Sequence, residues 1–225
     1  MRAGDAALLF LSAASGATDT VAFLLLGHVF TSAMTGNTAL LGVALGLRDV
    51  PAAARSAFAL LGFLAGVVAG CAASRKEAAS VRGLLLFELV VVAGFALAWP
   101  ALSDKGDAAI YSLIFVSSLG MGVQGIAATE ASRKGTTTIV FTSVLLRIAE
   151  AATRLLLRHP VPREERVRAR RQAGGYAAYI AAAVLAALAL SSRPSLAVWL
   201  PVIAVTAAAL LNERELVTGR RGQPA

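Results

Sequence analysis

The sequence predicts an all-α, polytopic transmembrane helical bundle of about six full spans plus two polar broken or re-entrant helices. Three observations carry this expectation. Of 225 residues, 57% are hydrophobic and 15% are charged, against roughly 25% charged in soluble domains. The mean hydropathy is +0.72, more apolar surface than one small globule can bury, so lipid must cover the excess. The apolar residues also form continuous runs rather than alternating, which excludes a membrane barrel.

Eight apolar segments follow one another, at 6–27, 30–47, 57–73, 84–102, 108–129, 136–157, 175–191 and 196–211. The first opens after Arg2 and resembles a signal peptide up to Ala14, but it continues through Val21 to Leu26, so it reads as a retained helix. The third, fourth, fifth, seventh and eighth have the ~17 to 25 apolar residues of ordinary spans. The second opens with Thr31, Ser32, Thr35, Gly36, Asn37 and Thr38. The sixth opens with Thr136, Thr137 and Thr138 and carries Arg147, Glu150 and Arg154. A full span with three charges costs several kcal/mol, so both segments are expected to line a polar space without crossing.

Charge placement supports six crossings over eight. With a cytoplasmic N-terminus, eight crossings put Arg75, Lys76, Arg82, Arg133 and Lys134 outside, and six move them all inside. Six crossings also set Trp99 and Trp199 at the same outer interface. The expectation is therefore a bacterial inner-membrane protein with both termini cytoplasmic.

Six crossings divide into two halves, 1–103 and 104–225, the second including a basic cytoplasmic loop at 158–172. Each half reads span, polar segment, span, span. An odd number of crossings per half makes the repeat inverted, the plan of many secondary transporters. Thr35 and Thr142 lie 107 positions apart, each just inside its polar segment. Phe30-Thr31-Ser32 against Phe141-Thr142-Ser143 offers a competing register.

Two motifs stand out: Gly16-Ala17-Thr18-Asp19 in the first span, and Met34-Thr35-Gly36-Asn37-Thr38 ahead of Leu41-Gly42. With Gly120-Met121-Gly122-Val123-Gln124 and the Thr136–Thr138 run before Thr142-Ser143, the chain resembles the YoaK-like family of bacterial membrane proteins over essentially its whole length. The resemblance implies a compact multi-span protein with a presumed transport role. Gly125 stands where the family has Asn and Ser143 where it has Gly, which puts the second half of an inherited site in doubt.

Asp19 is the sharpest candidate residue. An ionisable group within a span is expensive and marks a functional path by default, here a carboxyl that couples to a proton or cation. The alternative is an acceptor for backbone or Thr hydroxyls, Thr18 among them, where Ser15-Gly16 loosens the helix. Thr35, Gly36, Asn37 and Thr38 offer hydroxyls, an amide and an approachable backbone; at a half-helix start they suit an anion, and otherwise they join helices by hydrogen bonds. Gln124, Thr142 and Ser143 are the second-half counterparts, although Gln124 can equally bridge close-packed helices. Arg147, Glu150 and Arg154 follow helical spacing, as an ion-pair ladder or as a gate. Glu88, near the start of its span, is expected to snorkel or to pair with Arg82, with a coupling role as the lesser alternative.

Several classes are excluded at this stage. Cys71 is the one cysteine, and His28 and His159 have no metal-ligand spacing, so no metal or cofactor is expected. The sequence has no phosphate-binding Gly-Lys-Ser/Thr loop. Ser15 has no histidine at its depth, so an enzyme is not expected. The net charge of +8 concentrates between Arg154 and Arg171; without aromatic interleaving it points to anionic lipid and not to nucleic acid. The expectation is a secondary transporter of a small polar solute, proton-coupled through Asp19, with membrane lipid and a second copy of the chain as partners. The alternatives are a passive channel and a structural or partner-binding membrane protein.

Overall fold

A computed structural model describes the backbone of residues 3–74, 81–102, 106–131, 141–157, 160 and 162–220. These residues form the helices α1 (Ala3–Leu25), α2 (Met34–Gly46), α3 (Val50–Ser74), α4 (Val81–Leu102), α5 (Asp107–Ala131), α6 (Phe141–Leu156), α7 (Arg163–Ser192), α8 (Pro194–Ala197) and α9 (Leu200–Arg220). Among the described residues, six stretches are long and apolar enough to cross a membrane: Asp5–Leu25, Val50–Ser74, Val81–Leu102, Asp107–Glu130, Arg163–Ser192 and Pro194–Asn212. Neither α2 nor α6 is among them. At 13 residues, α2 rises about 20 Å, short of the hydrocarbon core.

The packing partners fix the direction of every long helix. A Cβ on Gly62, Gly66 or Gly70 of α3 would meet, in that order, Phe115, Leu119 and Ile126 of α5, so α3 and α5 run parallel. Arg171 pairs with Asp5, and Tyr179 packs on Gly16, so α7 runs parallel to α1. In contrast, Leu84 and Leu85 of α4 cluster with Val123 and Ala127 of α5, while Val91 meets Gly120, an antiparallel pair. Against α1, α9 is also antiparallel: Ala208 clusters with Leu11, and Val198 with Ala17 and Val21. Hence α1, α4 and α7 leave the end of the bundle where α1 starts, here the near end, and α3, α5 and α9 return to it from the far end.

The direction of the spans decides what α2 and α6 do. The C-terminus of α1 and the N-terminus of α3 are both at the far end, so residues 26–49 come back to the side they left. Likewise α5 ends and α7 begins at the near end, so α6 does not cross. This matches the expectation of two non-crossing polar segments, whose apolar content alone would have sufficed for eight spans. Trp99 and Trp199 both pack at the far end, in a cluster with Val21 and Leu25, as six crossings require.

Helix packing relies on small residues, which let backbones approach where lipid gives no hydrophobic drive. A Cβ on Gly16 would fall on the Tyr179 carbonyl, one on Gly66 on the Leu119 carbonyl, and one on Gly122 on the Phe63 carbonyl. Among the described residues, the pairs that pack most are α1 with α7 and α9, α5 with α3 and α4, α2 with α3, α6 with α7, and α4 with α9, with smaller contacts of α7 with α8 and α1 with α5.

The basic stretch expected as a loop at 158–172 is helical from Arg163 onward. Pro162 precedes the first turn, Glu164 and Glu165 occupy it, and acidic groups there oppose the helix dipole favourably. The Arg- and Ala-rich sequence that follows has high helix propensity. Residues 158, 159 and 161 of that stretch lie outside the described residues, as do Thr136, Thr137 and Thr138.

Candidate functional site

The site is a buried carboxylate and the non-helical chain wrapped round it. After Leu25 the chain turns back through Gly27 and His28, both at positive φ (86° and 64°). It then descends beside α1 as a non-helical segment, residues 29–33, bent at Thr31 and Ser32, before α2 begins. Residues in the non-helical segment have no helical partners for their backbone groups, so side chains must supply them. Asp19 and Asn37 do so.

Asp19 is 1% exposed. Its Oδ1 accepts from the Thr31 amide at 2.8 Å, the Thr31 hydroxyl at 3.1 Å and the Ser32 amide at 2.7 Å. Its Oδ2 accepts from the Ser32 hydroxyl at 2.7 Å and the Tyr179 hydroxyl at 2.8 Å. The five bonds tie three elements to one side chain: α1, the non-helical segment and α7. Two donors are backbone amides and cannot reverse; the two groups on Oδ2 are hydroxyls and can.

Asn37 is fully buried and grips both backbone polar groups of a single residue, Phe30. Its Oδ1 accepts from the Phe30 amide at 2.9 Å, and its Nδ2 donates to the Phe30 carbonyl at 2.6 Å. Nδ2 also lies 3.7 Å from the Met34 sulfur. Gly36 leaves room for the Phe30 ring, which a Cβ would contact at 3.0 Å, and that ring stacks on Phe23 with centroids 5.0 Å apart. The Met-Thr-Gly-Asn motif is therefore a clamp on Phe30. Thr35 and Thr38 point away and are exposed; Thr38 donates to its own helix at Met34.

The other sequence candidates divide. Thr18 is buried beside Asp19 and donates back to Ala14. Gln124 bridges helices: its Nε2 donates to the Leu11 carbonyl at 2.7 Å, and its Oε1 accepts from Ser15 at 3.4 Å. It meets α1 one to two turns nearer the near end than Asp19. Thr142 and Ser143 fall in the first turn of α6, and their side chains lie outside the described residues. Because α2 packs on α3 and α6 on α7, the expected meeting of the two polar segments around Asp19 is not what the described helices form. Among the described residues, the first segment and Tyr179 of α7 are what reach Asp19.

The α6 charges sit at the near end. Arg154 pairs with Glu150 at 2.6 Å and reaches Glu165 of α7 at 3.5 Å. Arg147, Glu150, Glu164, Glu165, Arg168 and Gln172 line an open cleft of about 310 Å³ between α6 and α7. Exposed pairs of this kind contribute little.

Two residues went unmarked or misplaced in the sequence. Tyr179 gave no signal beyond an aromatic in an apolar run. Glu88, expected to snorkel, is 0% exposed and has no hydrogen-bond partner on either oxygen among the described residues. It shares one face of α4 with Leu84, Leu85, Val91, Val92 and Ala96, a face turned into the bundle. Outward, a cavity of about 10 Å³ begins one turn away, lined by Val92, Ser117 and Thr18, enough for about one water.

The family described as "Protein of unknown function (DUF1275)" matches residues 7–211. The UPF0700 transmembrane protein YoaK of Bacillus subtilis (strain 168) is 33% identical over 149 residues, and the alignment covers 64% of each chain. The chain thus spans just under two thirds of that relative's length. No solved structure matches.

Proposed function

We propose that this chain, which belongs to the DUF1275 family of YoaK-like membrane proteins, is a secondary transporter of a small polar solute, with the non-helical segment 26–33 and α2 as its moving part and Asp19 as its coupling carboxyl. The observation that carries the reading is the Asp19 latch. A buried carboxylate holds a non-helical segment at membrane depth by five hydrogen bonds. If the segment withdraws, Asp19 loses four of those donors at once. A bare carboxylate at that depth is costly, so opening must be matched by a proton or a cation. That exchange is coupling in the thermodynamic sense.

The packing scheme supports an inverted repeat. Exchanging α1, α2, α3 and α4 for α5, α6, α7 and α9 turns each packed pair into another: α1 with α7 becomes α5 with α3, α1 with α9 becomes α5 with α4, and α2 with α3 becomes α6 with α7. Alternating access by rocking one half on the other suits such a scheme. Among the described spans the cavity lined by Thr18, Val92 and Ser117 is only about water-sized, which favours a closed carrier state over an open channel. Ser15 bonds to Leu11 and Gln124 and so does not stand as a nucleophile.

The orientation belongs to the same proposal. Among the described residues, the far end carries Arg48, Arg55 and Arg193, and the near end carries Arg82, Arg147, Arg154 and the α7 arginines. The positive-inside rule then puts the near end in the cytoplasm of a bacterial inner membrane, with its arginines against anionic lipid. The full saturation of Asp19 favours one second reading, a purely structural polar core.

Uptake into proteoliposomes separates the two. A panel of labelled amino acids, sugars and organic acids is offered under an imposed pH gradient. At least one solute is expected to accumulate in a gradient-dependent way, and Asp19→Asn is expected to remove the dependence while the protein stays folded. Uptake of none, or identical uptake by Asp19→Asn, favours the structural core.

A further inference from the structure

We propose that Glu88 is a proton-binding site within the bundle, occupied by a proton in this closed arrangement, and distinct from the Asp19 latch. The contrast between the two carboxyls carries the inference. Asp19 accepts five hydrogen bonds; Glu88, equally buried, accepts none among the described residues. A carboxylate with no donors and no cation beside it is severely penalised in an apolar interior, whereas the neutral acid is tolerated.

The surroundings offer no compensation. The helices packed on α4 are α5 and α9, and α1 shares their clusters with it. The described titratable groups on α5 are Asp107 and Tyr111 towards the far end and Glu130 at the near end. On α1 they are Asp5 at the near end and Asp19. The described side chains of α9, from Leu200 to Asn212, include none. On α4 itself Arg82 is exposed, at the near end. None of these bonds to Glu88.

A water-sized cavity begins one turn of α4 from Glu88. Ser117 has a buried hydroxyl without a partner and lines the water-sized cavity with Val92 and Thr18. Val92 is one helical turn from Glu88, and Thr18 precedes Asp19. Neither carboxyl lines this cavity, whose other walls are the apolar side chains of Val21, Ala22, Phe95, Val198 and Pro201. When the bundle opens there, water reaching Glu88 accepts its proton, the O–H bond breaks, and the carboxylate is left hydrated. The water becomes hydronium and carries the proton away, and no other protein group changes its bonding or charge in that step. In terms of the transport reading above, on which this last role rests, Glu88 is a second proton site that adds to the coupling carboxyl Asp19.

Infrared difference spectroscopy on the full-length protein in lipid nanodiscs tests the site without requiring transport. Wild type at neutral pH is expected to show the carbonyl stretch of a protonated carboxylic acid. Glu88→Gln is expected to remove that band, and Asp19→Asn to leave it. A wild-type spectrum without the band, or a band lost in Asp19→Asn and kept in Glu88→Gln, overturns the proposal. Thermal unfolding gives a second measure, because a neutral unbonded acid stabilises nothing. Glu88→Gln and Glu88→Leu should unfold at or above the wild-type temperature, and a large drop in Glu88→Gln also overturns it. If the protein transports nothing while the band behaves as expected, the transport reading fails and the proton site stands.

Discussion

The Tyr179 hydroxyl reaches Asp19 at 2.8 Å across 160 positions of sequence, and it is the contact by which the second half of the chain enters the buried carboxylate site. Tyr179→Phe keeps the ring and removes one donor from a charged acceptor. A loss of about 1.5–3 kcal/mol is expected for such a bond. Thermal unfolding in detergent reads it, and an unchanged midpoint would show that the hydroxyl does not support the carboxylate.

Asn37→Leu should release the non-helical segment while leaving the six spans assembled. It strands the amide and carbonyl of Phe30, at a cost of about 1–3 kcal/mol for each group left unpaired. Hydrogen exchange is expected to rise at residues 29–33 and to stay at wild-type levels in α4 and α9. Protection that falls uniformly would mean that the clamp holds the whole bundle.

Gly66→Leu and Gly122→Leu place atoms on the Leu119 and Phe63 carbonyls. Overpacking of this kind costs about 1–3 kcal/mol or more, because backbone has nowhere to move. Both variants should lower the unfolding midpoint more than Gly83→Leu, whose site is open.

Arg154→Ala removes the pairs to Glu150 and Glu165 and is expected to cost less than about 1 kcal/mol, as exposed pairs do. A larger loss in unfolding assays would mean that α6 is held to α7 by these charges instead of by Val144 and Ala151.

Orientation can be read with the chain's single cysteine removed. In a Cys71→Ser background, Ser74→Cys marks the near end and Ser191→Cys the far end. A membrane-impermeant maleimide should label the first only in inverted vesicles and the second only in right-side-out ones. The opposite pattern reverses the topology.

The sequence made the spans legible because continuous apolar runs and charge placement act over whole segments. It also marked α2 and α6 as exceptions, through their polar openings and the α6 charges. Asp19 was visible as an ionisable group in an apolar run. Its partners were not, for definite reasons. Thr31 and Ser32 donate largely through backbone amides, which carry no residue signature, and Tyr179 lies far away in an unremarkable span. Glu88 was misread because α4 is apolar all round. With no polar face to set its rotation, nothing in the sequence said which way residue 88 points. The glycines of α3 lie at intervals of four, but only the α5 carbonyls opposite them explain why.

The donors around Asp19 also imply an order of biosynthesis. Four of the five come from residues 12 and 13 positions downstream, and the last comes from 160 positions on. A nascent chain that has released only its first forty or so residues already holds nearly everything needed to shelter that charge. The insertion machinery therefore need not carry a naked carboxylate through the synthesis of the remaining spans. Tyr179 arrives late, as the closing contact on a structure already set, and its arrival marks the point at which the two halves become one protein.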